Sequence, residues 1–224
     1  MQLWLDTADV EEIRAASRFG VISGITTNPS LWAKAGGGRE YKNVVLEICS
    51  IIDGPISAEC VAQDLDGLLA EARRIAAWHP NVVVKVPLDE TGLEAIYRLS
   101  REGVKINTTL IFSPNQAMLA AQAGAAYVSP FVGRLDDVGH EGMAVVRDSV
   151  EIFDRYHFPT RVLAASLRHP LHVIEAAKAG AHIATMPHAV FQAMFKHPLT
   201  DAGMKRFLED YRKAGADVTG VPER

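Results

Sequence analysis

Short apolar runs alternate along the chain with stretches in which apolar residues recur at i, i+3 and i+4. The runs predict strands over 3–6, 22–27, 55–61, 82–87, 104–112, 126–132, 161–166 and 182–187. The helical stretches between them cover 8–18, 40–52, 64–78, 89–102, 115–123, 137–156 and 170–179, and two more follow at 188–196 and 200–214. Thr7 stands before the first helix, Ser113-Pro114 opens the fifth, and Gly20, Gly124 and Gly180 close three of them. Strands that alternate with helices in this way, apolar over most of their length, predict a (β/α)8 TIM barrel of the α/β class. A doubly wound sheet is the competing arrangement, but "LDTADVEE" lacks the glycine fingerprint such a sheet carries after its first strand. No linker or composition break interrupts the chain. A single domain over 1–224 is therefore expected, with 188–224 as a C-terminal helical extension. "AGGGRE" (35–40) predicts a flexible loop, and no Lys-Ser/Thr pair follows it to make a phosphate-cradling P-loop.

Charge and composition narrow the function. The 23 basic and 27 acidic residues give a net charge of −4, and no basic run exceeds a dipeptide such as Arg73-Arg74, which argues against a nucleic-acid or anionic-membrane partner. No apolar stretch approaches the roughly 18 residues of a membrane span. "MQLWLDTADVEE" lacks the basic-then-apolar order of a signal peptide, so a cytoplasmic location is expected. Two cysteines, Cys49 and Cys60, and scattered histidines suggest neither a disulfide framework nor a metal site, so no metal and no cofactor are expected.

Polar residues gather at the C-terminal ends of the predicted strands, the end where barrels of this kind carry their chemistry. They are Asp6, then Thr26, Thr27 and Asn28, then Glu59, Lys85, Asn107 and Thr109, and finally Ser129 and Ser166, with Arg134 and Arg168 just beyond. Spacing of i, i+2 sets Asn107 with Thr109, Ser129 with Phe131, and Ser166 with Arg168 on common faces. Taken singly, each has an ordinary use. Asp6-Thr7 could cap the first helix, Glu59 could pair with a surface cation, and Lys85 could snorkel out of the mouth. Lys105, beside Gly103 at a strand start, is expected at the opposite end, and His169 and His172 are expected on the surface.

Together these groups suggest one chemistry. A lysine desolvated among the valines of "NVVVKVP" is drawn toward its neutral amine, a nucleophile able to form a Schiff base with a ketone. Glu59 could move the protons that iminium formation requires, and Asp6 could take the hydroxyl proton whose loss breaks a C–C bond. Arg134 and Arg168 offer planar donors suited to a phosphate.

The segments "GITTNPS" (24–30), "VVVKVP" (82–87), "INTTLIFSPNQA" (106–117), "AAQAGAAYVSPFVGRLDD" (120–137) and "VLAASLR" (162–168) resemble the transaldolase family in its short form. The resemblance implies a class I aldolase barrel that moves a dihydroxyacetone unit between sugar phosphates through a lysine Schiff base. It implies Lys85 as that lysine, Glu59 as the proton shuttle, Thr109 as the holder of its water and Asp6 as the base for C–C cleavage. It further implies Asn28, Thr26, Asn107, Ser129 and Phe131 around the substrate's hydroxyls and carbonyl end, and Arg134, Ser166 and Arg168 around its phosphate. Fructose 6-phosphate aldolases use the same barrel, but tend to have glutamine at the position of Glu59 and tyrosine at that of Phe131; both residues here match the transaldolase choice. Thr108 departs from the longer transaldolases without evident chemical consequence.

Beyond the last strand, Met204, Phe207, Leu208 and Tyr211 form an apolar stripe at i, i+3, i+4 and i+7. It could cover its own barrel. The resemblance implies instead a helix that docks on a neighbouring subunit in a homo-oligomer, a pentamer or pairs of pentamers.

Overall fold

A computed structural model describes residues 1–35 and 38–214. Gly36 and Gly37 of the glycine run, and 215–224 of the C-terminal extension, lie outside the described residues. Eight parallel strands close into a barrel in chain order, β1 (Gln2–Asp6), β2 (Ile22–Thr26), β3 (Ile56–Glu59), β4 (Val82–Pro87), β5 (Ile106–Ile111), β6 (Tyr127–Pro130), β7 (Arg161–Ala164) and β8 (Ile183–Met186). The expected TIM barrel is present.

Alternation along each strand divides the apolar residues between two cores. Val82, Val84 and Val86 of β4 join the large cluster between strands and helices. Val83 faces the other way, with Trp4, Tyr127, Leu163 and Ile183, into the barrel itself. Lys85 has the same parity as Val83 and so points inward. The indole of Trp4 lies 5.6 Å from the ring of Tyr127, and a Cβ at residue 24 would stand 2.4 Å from that indole. Glycine at 24 leaves the space that this large inward ring occupies.

Around the strands lie α1 (Val10–Ser17), α2 (Pro29–Lys34), α3 (Tyr41–Ile51), α4 (Leu65–Ala76), α5 (Glu90–Arg101), α6 (Pro114–Gln122), α7 (Val132–Asp137), α8 (Gly142–Tyr156), α9 (Pro170–Lys178), α10 (His188–Ala193) and α11 (Pro198–Ala214). Ser113 caps α6 through Gln116 N–H, and Gly20, Gly124 and Gly180 follow their helices at positive φ, all as the sequence predicts. The first helix is different. Asp9, not Thr7, is its N-cap, accepting from Glu11 and Glu12 N–H, while Thr7 accepts from Asp9 N–H and donates to Glu12.

Two helices were not foreseen. Asn28-Pro29 starts α2 where only a strand end was expected. The helix predicted over 137–156 begins only at Gly142, as α8; before it, ahead of Gly139 (φ 78°), lies the unforeseen α7, which begins inside what the sequence marks as strand. The apolar pair Phe131-Val132 continues the strand pattern. Its backbone turns because Val132 N–H and Gly133 N–H bond to the carbonyls of Ala165 and Ser166 on the neighbouring loop. None of the described helices is long and apolar enough to cross a membrane.

In α11 the stripe is open to solvent: Met204 and Phe207 are each 67 % exposed, Leu208 50 % and Tyr211 41 %. It does not cover its own barrel.

Candidate active site

Parallel register sets Glu59 beside Lys85 and Lys85 beside Asn107, so three polar side chains stand level across β3, β4 and β5. Lys85 is 4 % exposed, and its Nζ lies 2.8 Å from Glu59 Oε2 and 3.5 Å from the carbonyl of Thr27. The lone amine suggested by the valine run is therefore corrected to an ion pair. Lys85 does not snorkel, and the partner of Glu59 is internal. An ion pair this deep is tolerated only with such close geometry, because the ammonium has lost nearly all its hydration and the carboxylate most of it.

Two further networks flank the pair. Ser129 Oγ donates to Asn107 Oδ1 at 2.7 Å, and Asn107 Nδ2 donates to Ser57 Oγ at 3.1 Å, which fixes the amide between β3 and β6. On the other side Thr26 Oγ1 donates to Asp6 Oδ1 at 2.7 Å. Thr26 also lies 2.7 Å from Thr185 Oγ1, which must supply the proton of that second bond. Thr109 Oγ1 is buried and has no protein partner among the described residues. Thr108 Oγ1 is likewise unpartnered, on the opposite face of β5. A bulge follows Thr108, with Leu110 at φ 59° in the left-handed region, and Ser166 beyond β7 shares that value. Non-glycine residues held in this region at a barrel mouth are strained in a way that often marks function.

One pocket in the mouth is lined by Asp6, Thr26, Asn28, Lys85, Ser129, Phe131, Arg134 and Ser166, together with Thr185. Eight of the residues singled out in the sequence thus converge on one space. Glu59 stands behind Lys85, and Asn107 and Thr109 are fully buried on the neighbouring strand. Arg168 is not a wall of the pocket. Its guanidinium lies half exposed on the rim, 2.8 Å from Asp137. Arg134 is stacked over Phe131 at 4.8 Å and has no ion-pair partner among the described residues. Asn28 commits Oδ1 to Leu31 N–H as the cap of α2, which leaves its amide nitrogen for a ligand.

Asp6 ends β1 in the wall of this pocket. Withdrawal from water is the largest influence on its carboxyl and, with a smaller push from Glu59, raises its pKa above the ordinary 3.8; Lys85, Thr26 and Arg134 pull the other way. A carboxyl whose pKa is raised by folding holds its proton more tightly in the folded state. Its cost to stability therefore appears as pH rises above 3.8 and persists once it is ionised. Asp6→Asn can still accept from Thr26. It should raise the melting temperature at neutral pH, with the gain vanishing below pH 3.8. Thermal melts across pH test this; a variant less stable than the parent at neutral pH contradicts it.

A family model described as Transaldolase/Fructose-6-phosphate aldolase matches residues 3–223. The chain belongs to that family. It is similar to proteins named probable transaldolase from Thermoanaerobacter sp. (strain X514), 56% identical over 97% of this chain and 100% of that one, and from Herpetosiphon aurantiacus, 57% identical over 100% of both. Probable transaldolase 1 of Listeria monocytogenes serotype 4b is 56% identical over 96% of this chain and 99% of its own. As a member of the transaldolase/fructose-6-phosphate aldolase family, the chain is an aldolase-type enzyme.

For this family member the sequence reading missed three polar residues. Ser57 and Thr185 were legible in principle, since Ser57 shares the face of Glu59 at i, i+2 and Thr185 lies in the strand segment "HIATMP". Tyr41 lies on a helix, and no strand pattern points to it. One expectation is also corrected: His172 is buried, not on the surface, because its Nδ1 accepts Arg168 N–H at 3.2 Å while Nε2 faces Asp136 at 3.2 Å. His169 is exposed and caps α9, and Lys105 is exposed at the start of β5, away from the mouth.

Proposed function

We propose that this chain is a transaldolase that transfers a dihydroxyacetone unit from sedoheptulose 7-phosphate to glyceraldehyde 3-phosphate, giving erythrose 4-phosphate and fructose 6-phosphate. The observation that carries this reading is the buried Lys85 Nζ, 2.8 Å from the Glu59 carboxylate and on the same pocket as Asp6. Glu59 takes a proton from Lys85, and the free amine adds to the ketone carbon of the donor. The carbinolamine loses water with Glu59 as acid, leaving an iminium; the unpartnered hydroxyl of Thr109 is suited to hold the water. Asp6 then removes the proton of the hydroxyl on the β carbon, two carbons from the iminium nitrogen's carbon, and that oxygen collapses to the aldehyde carbonyl. The C–C bond breaks, its electrons enter the iminium to form an enamine, and the aldose leaves. The enamine attacks the acceptor aldehyde, Asp6 returns the proton, and water releases the product from Lys85.

In this reading Asn28, Thr26, Asn107, Ser129 and Phe131 surround the three-carbon unit. Arg134, Ser166 and Arg168 receive the phosphate. The assay that tests it supplies fructose 6-phosphate alone and measures free dihydroxyacetone. Little release without an acceptor, and fast turnover with erythrose 4-phosphate, is expected. Release as fast as transfer would make the enzyme a lyase.

Arg134→Ala should weaken a phosphorylated donor by roughly 1.5–3 kcal/mol, the range for hydrogen bonds to charged groups. Arg168→Ala should cost less, because Asp137 already holds that guanidinium on the rim. Unphosphorylated dihydroxyacetone should keep its adduct with Lys85 in both variants. Equal losses for both ligands would mean that the arginines support the barrel and do not read phosphate.

The same proposal takes 1–224 as one domain acting in the cytoplasm within the pentose phosphate pathway, on sugar phosphates. It also assigns the exposed stripe of α11 to a homo-oligomer of five or ten subunits. Exposed aromatic residues such as Phe207 and Tyr211 are the kind that anchor interfaces. A monomer mass by light scattering at micromolar concentration would exclude it.

A further inference from the structure

Tyr41 lies in none of the motifs that mark the site. It opens α3, and its ring stands between those of Trp32 and Trp78, with centroids 5.7 Å and 6.0 Å away. Its hydroxyl reaches the seam where β2 and β3 end. There Thr27 Oγ1 donates to the Ser57 carbonyl at 2.7 Å, so in the 2.6 Å bond between Thr27 and Tyr41 the donor is Tyr41. The phenol oxygen in turn accepts Glu59 N–H at 3.3 Å.

This departs from a regular ladder. Thr27 N–H bonds to the Ser57 carbonyl, so in a parallel pair the next bond would run from Glu59 N–H to the Thr27 carbonyl. Tyr41 takes that N–H instead, and the Thr27 carbonyl lies 3.5 Å from Lys85 Nζ. One hydroxyl thus touches the backbone under the carboxylate and the residue whose carbonyl faces the amine.

We infer that Tyr41 is a positioning residue for the Lys85–Glu59 pair, holding the end of β3 so that the carboxylate stays within proton-transfer distance of the amine. The inference rests on the Schiff-base reading given above. Burial, aided by the charge of Glu59, pushes the phenol up to about 12, so it remains a donor to Thr27 at any physiological pH. Behind Glu59 lies a pocket walled by Trp32, Tyr41 and Trp78, which gives Glu59 room to shift once its N–H loses that partner.

Tyr41→Phe keeps the ring and its stacking and removes only the hydroxyl. Thr27→Val removes the other end of the bond and serves as the second variant. The measurement is the rate at which borohydride traps dihydroxyacetone on Lys85 in the full-length protein, alongside affinity for inorganic phosphate. Trapping should slow by about 10-fold or more in both variants, as for a displaced catalytic group, with phosphate affinity unchanged. An unchanged trapping rate in Tyr41→Phe, with the parent trapped normally, overturns the role of Tyr41 alone. Parallel losses of trapping and phosphate affinity also overturn it, since they mark a general structural role. No trapping in the parent overturns the Schiff-base reading and this inference with it.

Discussion

Lys85→Met should give a folded barrel that forms no reducible adduct with any ketose. Methionine keeps the unbranched stem in the inward position and removes the amine, so no iminium can form. Turnover should fall by on the order of 10⁴-fold or more, as when the nucleophile of a covalent mechanism is removed. Mass spectrometry after borohydride treatment with donor reads this directly; adduct remaining at Lys105 would refute the choice of lysine. Stability supplies a second readout. Breaking a buried pair costs about 3–5 kcal/mol when the remaining charge is fully enclosed. Because the Glu59 side chain keeps 17 % exposure, a loss of about 1–2 kcal/mol is expected here. Lys85→Met combined with Glu59→Gln should recover most of it, since no charge is then left without a partner. A double variant less stable than the single one would show that Glu59 does not depend on Lys85.

Glu59→Gln is expected to slow both formation and hydrolysis of the adduct by roughly 10²–10⁴-fold, the range for loss of a general acid–base group. Glutamine can still accept from Lys85 Nζ, so the geometry of the pair is kept and only proton transfer is removed. Affinity for phosphorylated ligands should change little, because Arg134 follows β6 and stacks on Phe131, with no bond to Glu59. Single-turnover trapping measures the two chemical steps, and a binding titration measures the phosphate end. A large loss of affinity with normal trapping would make Glu59 a substrate-orienting group.

Much of the site was legible because a barrel imposes two strict regularities. Parallel strands point their C-terminal ends the same way, so Asp6, Thr26, Lys85, Ser129 and Ser166 gather from widely separated segments on the sequence pattern alone. Alternation then selects the inward residue of each strand, which is how Lys85 separates from Val84 and Val86. The bend after Phe131 was not legible. Its residues read as strand, and only hydrogen bonds from Val132 and Gly133 to the β7 loop turn them into helix.

The sequence by itself determined the strand order, the main helix between each pair of strands, the closed barrel and the face that carries the chemistry, because these follow from local periodicity repeated eight times around one sheet. Tertiary structure alone decided which polar groups are partners. Glu59 is 26 residues from Lys85, Asn107 is 50 from Ser57, and Thr26 is 159 from Thr185. Periodicity says which way each of these side chains points. Whether a buried charge stands alone or paired depends on register between strands and on a helix residue such as Tyr41, and those distances exist only once the barrel has closed.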